Sequence, residues 1–312
     1  MPFDRNQTMK LATLNVLVAA IEEGSLRGAA RRVGASQPAI TKMVRELELE
    51  LAAPLLLRTS RGVVPTAQGK VLYDRAVKVD RELTAAVDEI NQIGGRMVGH
   101  LHVGAVPLAV MLLIPETLRT FGQEFPEVKL RVSEELYVAQ LQKLRSGEVD
   151  ITVGGIPDDL STGEFYVEPL MQTSMVATVC KASPWLKARK LSDLQTARWV
   201  YTGPNSESGY AKLFFERHKL PAPAVGAVVN STLALLALVS SGDYVALMPR
   251  QIAVHPVVAQ FISIIDIEEK GYPLQVGAIL RSDSAVSPVL RHLIAHLHRA
   301  AHQIERAQAL PS

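Results

Sequence analysis

Gly24-Ser25-Leu26-Arg27-Gly28-Ala29-Ala30-Arg31-Arg32-Val33-Gly34-Ala35-Ser36-Gln37-Pro38-Ala39-Ile40-Thr41 reads as two short helices around a tight turn. Gly24 tolerates a positive φ and so ends a preceding helix, whose apolar residues Leu11, Leu14, Leu17, Val18 and Ile21 recur at helical spacing. Ser25 caps a second helix over 26–33, with Ala29 and Ala30 as its small buried face, and Gly34 stops it. Ser36 starts a third helix. Pro38 lies in its first turn, where a missing N–H costs nothing. That helix presents Ile40, Val44, Leu47 and Leu51 inward and leaves Ser36, Gln37, Ala39, Thr41, Lys42 and Arg45 outside.

Two short helices joined by a Gly-containing turn, with small residues at the crossing, make a helix-turn-helix. The second helix of such a unit enters the major groove of DNA and brings its N-terminal side chains to base edges. Gln37 suits adenine N6/N7, and Lys42 or Arg45 reaches guanine or phosphate. The next stretch, 55–66, reads as strand, Arg/Gly turn, strand: a wing with Arg58 and Arg61 placed for the backbone or a minor groove. A plain three-helix packing module would share the apolar pattern, but not the basic outer face and the wing. Charge agrees. The chain is nearly neutral, with 33 Lys+Arg against 31 Asp+Glu, yet residues 1–70 carry ten basic and six acidic side chains. A basic head on a slightly acidic body points to a polyanion partner for the head alone.

Composition narrows the remaining classes. The length of 312 residues suits about two domains, and 48% hydrophobic with 21% charged residues is globular. The single cysteine, Cys180, excludes an intramolecular disulfide and a cysteine-rich zinc site, and is expected to be a buried strand residue. Aromatics at 5% disfavour a nucleic-acid reader that works by base stacking. The N-terminus lacks the apolar core of a secretory signal, and the longest uncharged stretch, 220–242, is broken by Pro221, Pro223 and Gly226. A cytoplasmic protein with no membrane partner is expected. No G-x-S-x-G, H-E-x-x-H or G-x-G-x-x-G is present, and Gly69-Lys70 is followed by Val71 rather than the Ser or Thr of a P-loop. His292/His296 and His298/His302 have metal-ligand spacing, but no Glu or Cys completes a site, so a solvated helix face is expected. The chain is therefore read as no enzyme, with no cofactor and no metal.

The spaced set Gly24-Ser25-Leu26-Arg27-Gly28-Ala29-Ala30, Ser36-Gln37-Pro38-Ala39-Ile40-Thr41, Leu47-Glu48, Pro54-Leu55-Leu56-Leu57-Arg58 and Pro65-Thr66-Ala67-Gln68-Gly69 closely resembles the LysR-type transcriptional regulators. It matches the order and spacing of their N-terminal winged helix-turn-helix, except that leucine replaces the usual aromatic before the wing arginine. The candidate DNA-binding residues are Ser25, Arg32, Ser36, Gln37, Pro38, Ala39, Thr41, Lys42, Arg45, Arg58 and Arg61.

Beyond the wing, Leu72, Ala76, Val79, Leu83, Ala86, Ile90 and Ile93 keep steps of four and three, an a/d heptad pattern. A helix over 67–93 is predicted, and the strict period favours a partner helix over docking on its own domain. The resemblance implies that this linker helix pairs with its copy, giving a homodimer or, through two dimers, a homotetramer; a two-fold dimer presents two heads, so the DNA site is expected to be an interrupted inverted repeat. Gly94-Gly95 and Gly99 form a hinge. Strands then alternate with helices: strands at 101–106, 128–134, 150–154, 199–203, 227–229, 244–249 and 275–280, and helices at 108–121, 138–146, 208–219, 233–241 and 286–306. This is α/β with parallel strands, in two sets. The resemblance implies a two-lobed α/β periplasmic-binding-protein-like domain. Expected boundaries are 1–66 for the DNA-binding domain, 67–95 for the linker, 100–165 plus 270–312 for lobe I and 166–269 for lobe II.

Ligands of such sheets bind beyond the carboxyl ends of the strands. The candidate effector-binding residues are Ala105, Val106 and Pro107 from one lobe and Tyr201, Thr202, Gly203, Asn230, Ser231 and Thr232 from the other. Each Ser or Thr here serves equally well as a helix cap. An apolar turn beside amides and hydroxyls suits an aromatic or other organic acid. The leading function is a ligand-responsive, sequence-specific DNA-binding regulator, in the cytoplasm on the bacterial nucleoid. A solute-binding protein would suit the body but not the basic head, and an α/β enzyme would need a catalytic motif.

Overall fold

The structure is a computed structural model that describes residues 9–60, 62–135, 137–157, 160–161, 163–203, 209–283 and 286–309. The chain divides between Asp88 and Glu89 into two compact units. The first holds α1 (Leu11–Glu22), α2 (Leu26–Val33), α3 (Gln37–Glu50), β1 (Leu56–Thr59), β2 (Gly62–Pro65) and most of α4 (Ala67–Ile93). The caps are the ones the sequence points to: Ser25 Oγ accepts from Gly28 N at 3.0 Å and Ser36 Oγ from Ala39 N at 3.3 Å. Gly34 ends α2 in the left-handed region. Ala19, Ala20, Ala29 and Ala30 are buried with Val16, Ile40 and Val44, and their small side chains let the three helices approach closely.

The β1–β2 hairpin is antiparallel. Glu48 Oε1 fastens it to α3 by accepting from Leu55 N at 2.8 Å and Leu56 N at 3.1 Å. Thr66 Oγ1 then donates to Pro54 O and accepts from Gly69 N, which starts α4 against the hairpin. Here glycine is obligatory, because a Cβ at Gly69 would stand 1.9 Å from the Leu55 carbonyl oxygen. Gly69→Ala is expected to destabilise this unit by about 3 kcal/mol, the scale of a forced backbone shift. An unchanged urea midpoint for the first unit of the full chain would refute that.

In the second unit the order is β3 (Gly99–Ala105), α5 (Pro107–Leu112), α6 (Ile114–Glu124), β4 (Val128–Glu134), α7 (Tyr137–Ser146), β5 (Ile151–Gly155), β6 (Phe165–Cys180), β7 (Trp199–Thr202), α8 (Tyr210–Arg217), β8 (Val225–Val229), α9 (Thr232–Ser240), β9 (Val245–Pro249), α10 (Arg250–Ala253), β10 (Ile262–Ile264), β11 (Tyr272–Arg281) and α11 (Pro288–Ala309). The strands lie in the order β4-β3-β5-β11-β6-β9-β7-β8, with β10 on β6. Two parallel sets, β4-β3-β5 and β8-β7-β9, are the two lobes. Between them β6 and β11 run antiparallel to their neighbours and belong to both. Parallel strands alone were expected, so the two crossing strands are an addition to that reading. Their ladder shifts register between Val276 and Gly277, opposite Met171 and Pro169. Proline has no N–H for the ladder, so a bulge forms beside it.

Three local expectations are corrected. The single helix expected over 108–121 is two helices that meet at Leu113. Pro115 cannot donate to the preceding turn and its ring crowds the carbonyl of Met111. Cys180, expected to be buried, is the half-buried last residue of β6. Of the histidines of α11 only His302 is exposed to solvent, and His296 is 1% exposed. Its Nδ1 lies 2.7 Å from Thr120 Oγ1 and its Nε2 lies 3.1 Å from Glu124 Oε2, while the ring packs edge-on against Phe121. His292 packs on Phe125, and His298 meets Glu168 at 2.9 Å.

Burial, reinforced by Arg299, holds His296 below the ordinary imidazole range, with Glu124 opposing. The unfolded chain therefore takes up this proton first, near pH 6.5. The stability the neutral ring contributes is whole above about pH 6.5 and is lost as the pH falls below it. On going from about pH 7.5 to about pH 5.5, the wild type is expected to lose more thermal stability than His296→Gln. Parallel losses would show that His296 is not the titrating group.

Candidate functional site

In the first unit, α3 turns Gln37, Pro38, Thr41, Lys42, Arg45 and Glu46 onto one shallow concavity. Thr41 and Arg45 also border a second notch together with Arg58 of β1 and Leu56. The outer side of α3 and the wing thus form a continuous surface. Of the eleven expected contact residues, six meet here: Gln37, Pro38, Thr41, Lys42, Arg45 and Arg58. Gln37 and Arg45 are exposed, with no side-chain partner among the described residues, whereas Lys42 lies 3.7 Å from Glu46. Thr41 donates back to the Gln37 carbonyl. Ser25 and Ser36 spend their hydroxyls on helix caps. Ala39 is half-buried beside Ser36. Arg32 is tied to Glu22 at 2.5 Å, and Glu22 also accepts from the Tyr73 hydroxyl, so this arginine braces α2 against α1. Arg61 lies outside the described residues.

Along α4 the heptad positions divide. Leu72 packs with Leu17, Leu47 and Leu55 inside the first unit, and Ala76 is buried. From Val79 onward the apolar positions are uncovered: Val79, Leu83, Ile90 and Ile93 are all exposed, Ile93 to 74%.

In the second unit, the carboxyl ends of β3, β5, β7 and β9 open on one cavity of about 130 Å³. Its wall is made by Val106, Pro107 and Leu108 at the start of α5, Gly155 after β5, Met175 of β6 and Thr202 of β7. Tyr210 of α8, Thr232, Leu235 and Leu236 of α9, Leu247, Met248 and Pro249 of β9, Ile252 of α10 and Leu274 of β11 complete it. Four expected residues, Val106, Pro107, Thr202 and Thr232, line it together. Ala105, Tyr201, Gly203, Asn230 and Ser231 stand off this wall. Ala105 is buried beneath it, and Tyr201 lies in the separate core of its lobe, its hydroxyl near the Pro223 carbonyl at 3.4 Å. Ser231 caps α9 by accepting from Ala234 N.

The apolar wall residues, Met175, Leu235, Leu236, Met248, Ile252 and Leu274, carried no signal in the sequence that separates them from ordinary core. Gln140 of α7 was likewise missed. It is fully buried, donates to the Ala105 carbonyl at 3.0 Å, and accepts from Thr152 Oγ1 at 3.2 Å. It thereby ties the ends of β3 and β5 and holds the turn that carries Val106 and Pro107. The described lining residues include three hydroxyls, Thr202, Tyr210 and Thr232, and no charged side chain.

Comparison with known proteins covers both units. Residues 11–70 match the family described as bacterial regulatory helix-turn-helix protein, lysR family. Residues 94–302 match the LysR substrate binding domain. The HTH-type transcriptional regulator TdcA of Escherichia coli is 24% identical over 242 residues, 77% of each protein. The HTH-type transcriptional regulator GalR of Pseudomonas putida is 27% identical over 288 residues, 90% of this chain and 72% of its own. Full-length CbnR, solved in complex with its target DNA, superposes with a TM-score of 0.70 at 22% identity. The match covers 94% of this chain and 100% of CbnR, and is a likeness of fold.

Proposed function

The chain belongs to the LysR family of bacterial regulatory helix-turn-helix proteins, and on that premise we propose that it is a ligand-responsive, sequence-specific DNA-binding transcriptional regulator. The observation that carries the DNA half is the exposed outer side of α3, with Gln37 and Arg45 unpaired, continuous with Arg58 of the wing. A helix of this kind fits the major groove, with Gln37 for an adenine edge and the arginines for guanine or phosphate. The relative CbnR was solved on its target DNA, which supports the reading.

A small-molecule effector is placed in the cavity between the lobes, on Val106, Pro107, Thr202 and Thr232. The segments are 1–66 for DNA, 67–95 for pairing, 100–165 plus 270–312 for lobe I and 166–269 for lobe II. The uncovered stripe of α4 pairs with a second copy, giving a dimer and, through two dimers, a tetramer. Paired heads read an interrupted inverted repeat. The family is one of transcriptional regulators, and no catalytic step is assigned. Among the described residues no helix is long and apolar enough to cross a membrane. The cytoplasm, on the nucleoid, is the compartment this function requires.

Regulation needs the ligand to favour one arrangement of the protein by about 1–3 kcal/mol, or about 5- to 150-fold in DNA affinity. Thr202→Phe fills part of the cavity, which lies within the second unit. It is expected to bind the chain's own upstream DNA as the wild type does. It should also lose the change in band mobility or affinity that small molecules extracted from the source bacterium produce. A response equal to the wild type's would place the effector elsewhere.

A further inference from the structure

We propose that Gln92 couples the effector cavity to the pairing helix: its buried carboxamide fastens the last turn of α4 to the strand and the helix that lead to the cavity wall. This rests on the reading of that cavity as the effector site and of α4 as the pairing element. Gln92 is 6% exposed, whereas Ile90 and Ile93 on the same turn are uncovered. Its Nε2 donates to the Val98 carbonyl at 2.9 Å and its Oε1 accepts from Val289 N at 3.3 Å. All three residues belong to the second unit. Val289 N stands in the first turn of α11, where no carbonyl of the helix itself can reach it, and the residue is buried. Gln92 supplies the acceptor that this buried amide needs.

The glycines that read as a hinge in the sequence close this tie rather than loosen it. Gly95 takes a left-handed φ of 87°. Gly95 N bonds to Gln92 O and Arg96 N to Asn91 O, both at 3.0 Å, the paired bonds of a Schellman helix end. Val98 N then bonds to Arg96 O at 2.9 Å. The chain thus leaves α4 through a bonded turn, and the Gln92 side chain bridges that turn from α4 to the residue before β3.

Both partners of Gln92 lead to the cavity. Strand β3 begins at Gly99, directly after Val98, and at Ala105 hands on to Val106 and Pro107 of the wall. Helix α11 places Val289, Leu290 and Leu293 in the same core as the wall residues Leu108, Leu235 and Met248. Close-packed elements pass a displacement on instead of absorbing it. A ligand that moves either segment of the wall therefore shifts the last turn of α4, and with it the exposed Ile93 of the pairing stripe. Such coupling is reciprocal: DNA held by paired heads is felt at the cavity, and no effector is needed to detect it.

Hydrogen exchange read by mass spectrometry on the full chain, free and bound to its own upstream DNA, tests this. In the wild type, exchange over the cavity segments 106–112 and 232–236 is expected to change when DNA binds. Gln92→Met keeps the length of the side chain and removes both hydrogen bonds. It is expected to bind DNA with unchanged affinity and mass and to show no DNA-dependent change at the cavity. Exchange over 286–290 should become about three- to tenfold faster, the loss of one hydrogen bond. Gln92→Glu keeps the acceptor for Val289 and loses the donor to Val98, and the same loss of response is expected, so a folding defect in one variant leaves the other to decide. A Gln92 that only supports the fold would speed exchange over 286–290 and leave the cavity response intact, which overturns the proposal. A wild type that binds its DNA with no change at the cavity overturns it as well. A wild type that binds no specific DNA overturns instead the function on which the proposal rests.

Discussion

Leu83→Glu is expected to leave the full-length protein monomeric at concentrations where the wild type is at least a dimer. Leu83 stands in the middle of the heptad stripe and is 47% exposed in the single chain, so it contributes little to either unit's own core. In a pair of α4 helices it would face its copy, and two carboxylates would meet in an apolar seam. An unpaired charge left in such a seam costs about 3–5 kcal/mol. At about 1.4 kcal/mol per tenfold, the dimer weakens by at least a hundredfold. Leu72 and Ala76 make a built-in control, because they pack inside the first unit. A charge at Ala76 should lower thermal stability, whereas a charge at Leu83 should change mass by light scattering and leave the fold. A Leu83→Glu protein with wild-type mass would remove α4 as the pairing element.

Gln37→Ala is expected to weaken binding to the specific site by about 1–3 kcal/mol, the discrimination of one good bidentate base contact. The loss should be confined to that sequence. Weaker, salt-driven binding to unrelated DNA should be nearly unchanged, because Gln37 carries no charge. Arg58→Ala should do the reverse. It should weaken all sequences alike and make log affinity less steep in log salt by about one ion's worth. The contrast matters more than either value, since an unfolded head would lose both kinds of binding together. Arg32 is a poor probe of contact, because removing it also breaks its bond to Glu22.

The first unit was legible because its signals are local. Ser25, Gly34, Ser36 and Pro38 each dictate a backbone state within a few residues, and the structure has those caps where the sequence puts them. The second unit was legible as an alternation of strands and helices, and less so in its pairing. Strand β6 crosses both lobes for 16 residues and pairs with β11, about a hundred positions later, which no local pattern reports. Pro169 within it has no N–H for the ladder, which accommodates it with a bulge. Pro115 was visible and should have divided the helix over 108–121. The strand-end rule found Val106, Pro107, Thr202 and Thr232 on the cavity. It could not find Met175, Met248 or Leu274, since apolar residues on strands read as core until a void is seen beside them. His296 escaped for the opposite reason: a polar residue on a helix reads as solvated unless Thr120 and Glu124, more than 170 positions away, are known to face it.

The central claim is that paired heads read a specific DNA sequence through α3 and the wing. Nuclease footprinting of the full chain on its own upstream DNA, at moderate salt and with unrelated competitor DNA, tests it most directly. The expected result is protection of two half-sites of an interrupted inverted repeat, with Gln37→Ala needing about 5- to 150-fold more protein for the same protection. A folded wild-type sample that protects no specific sequence, or that gives the same footprint at the same concentration with Gln37→Ala, would contradict it.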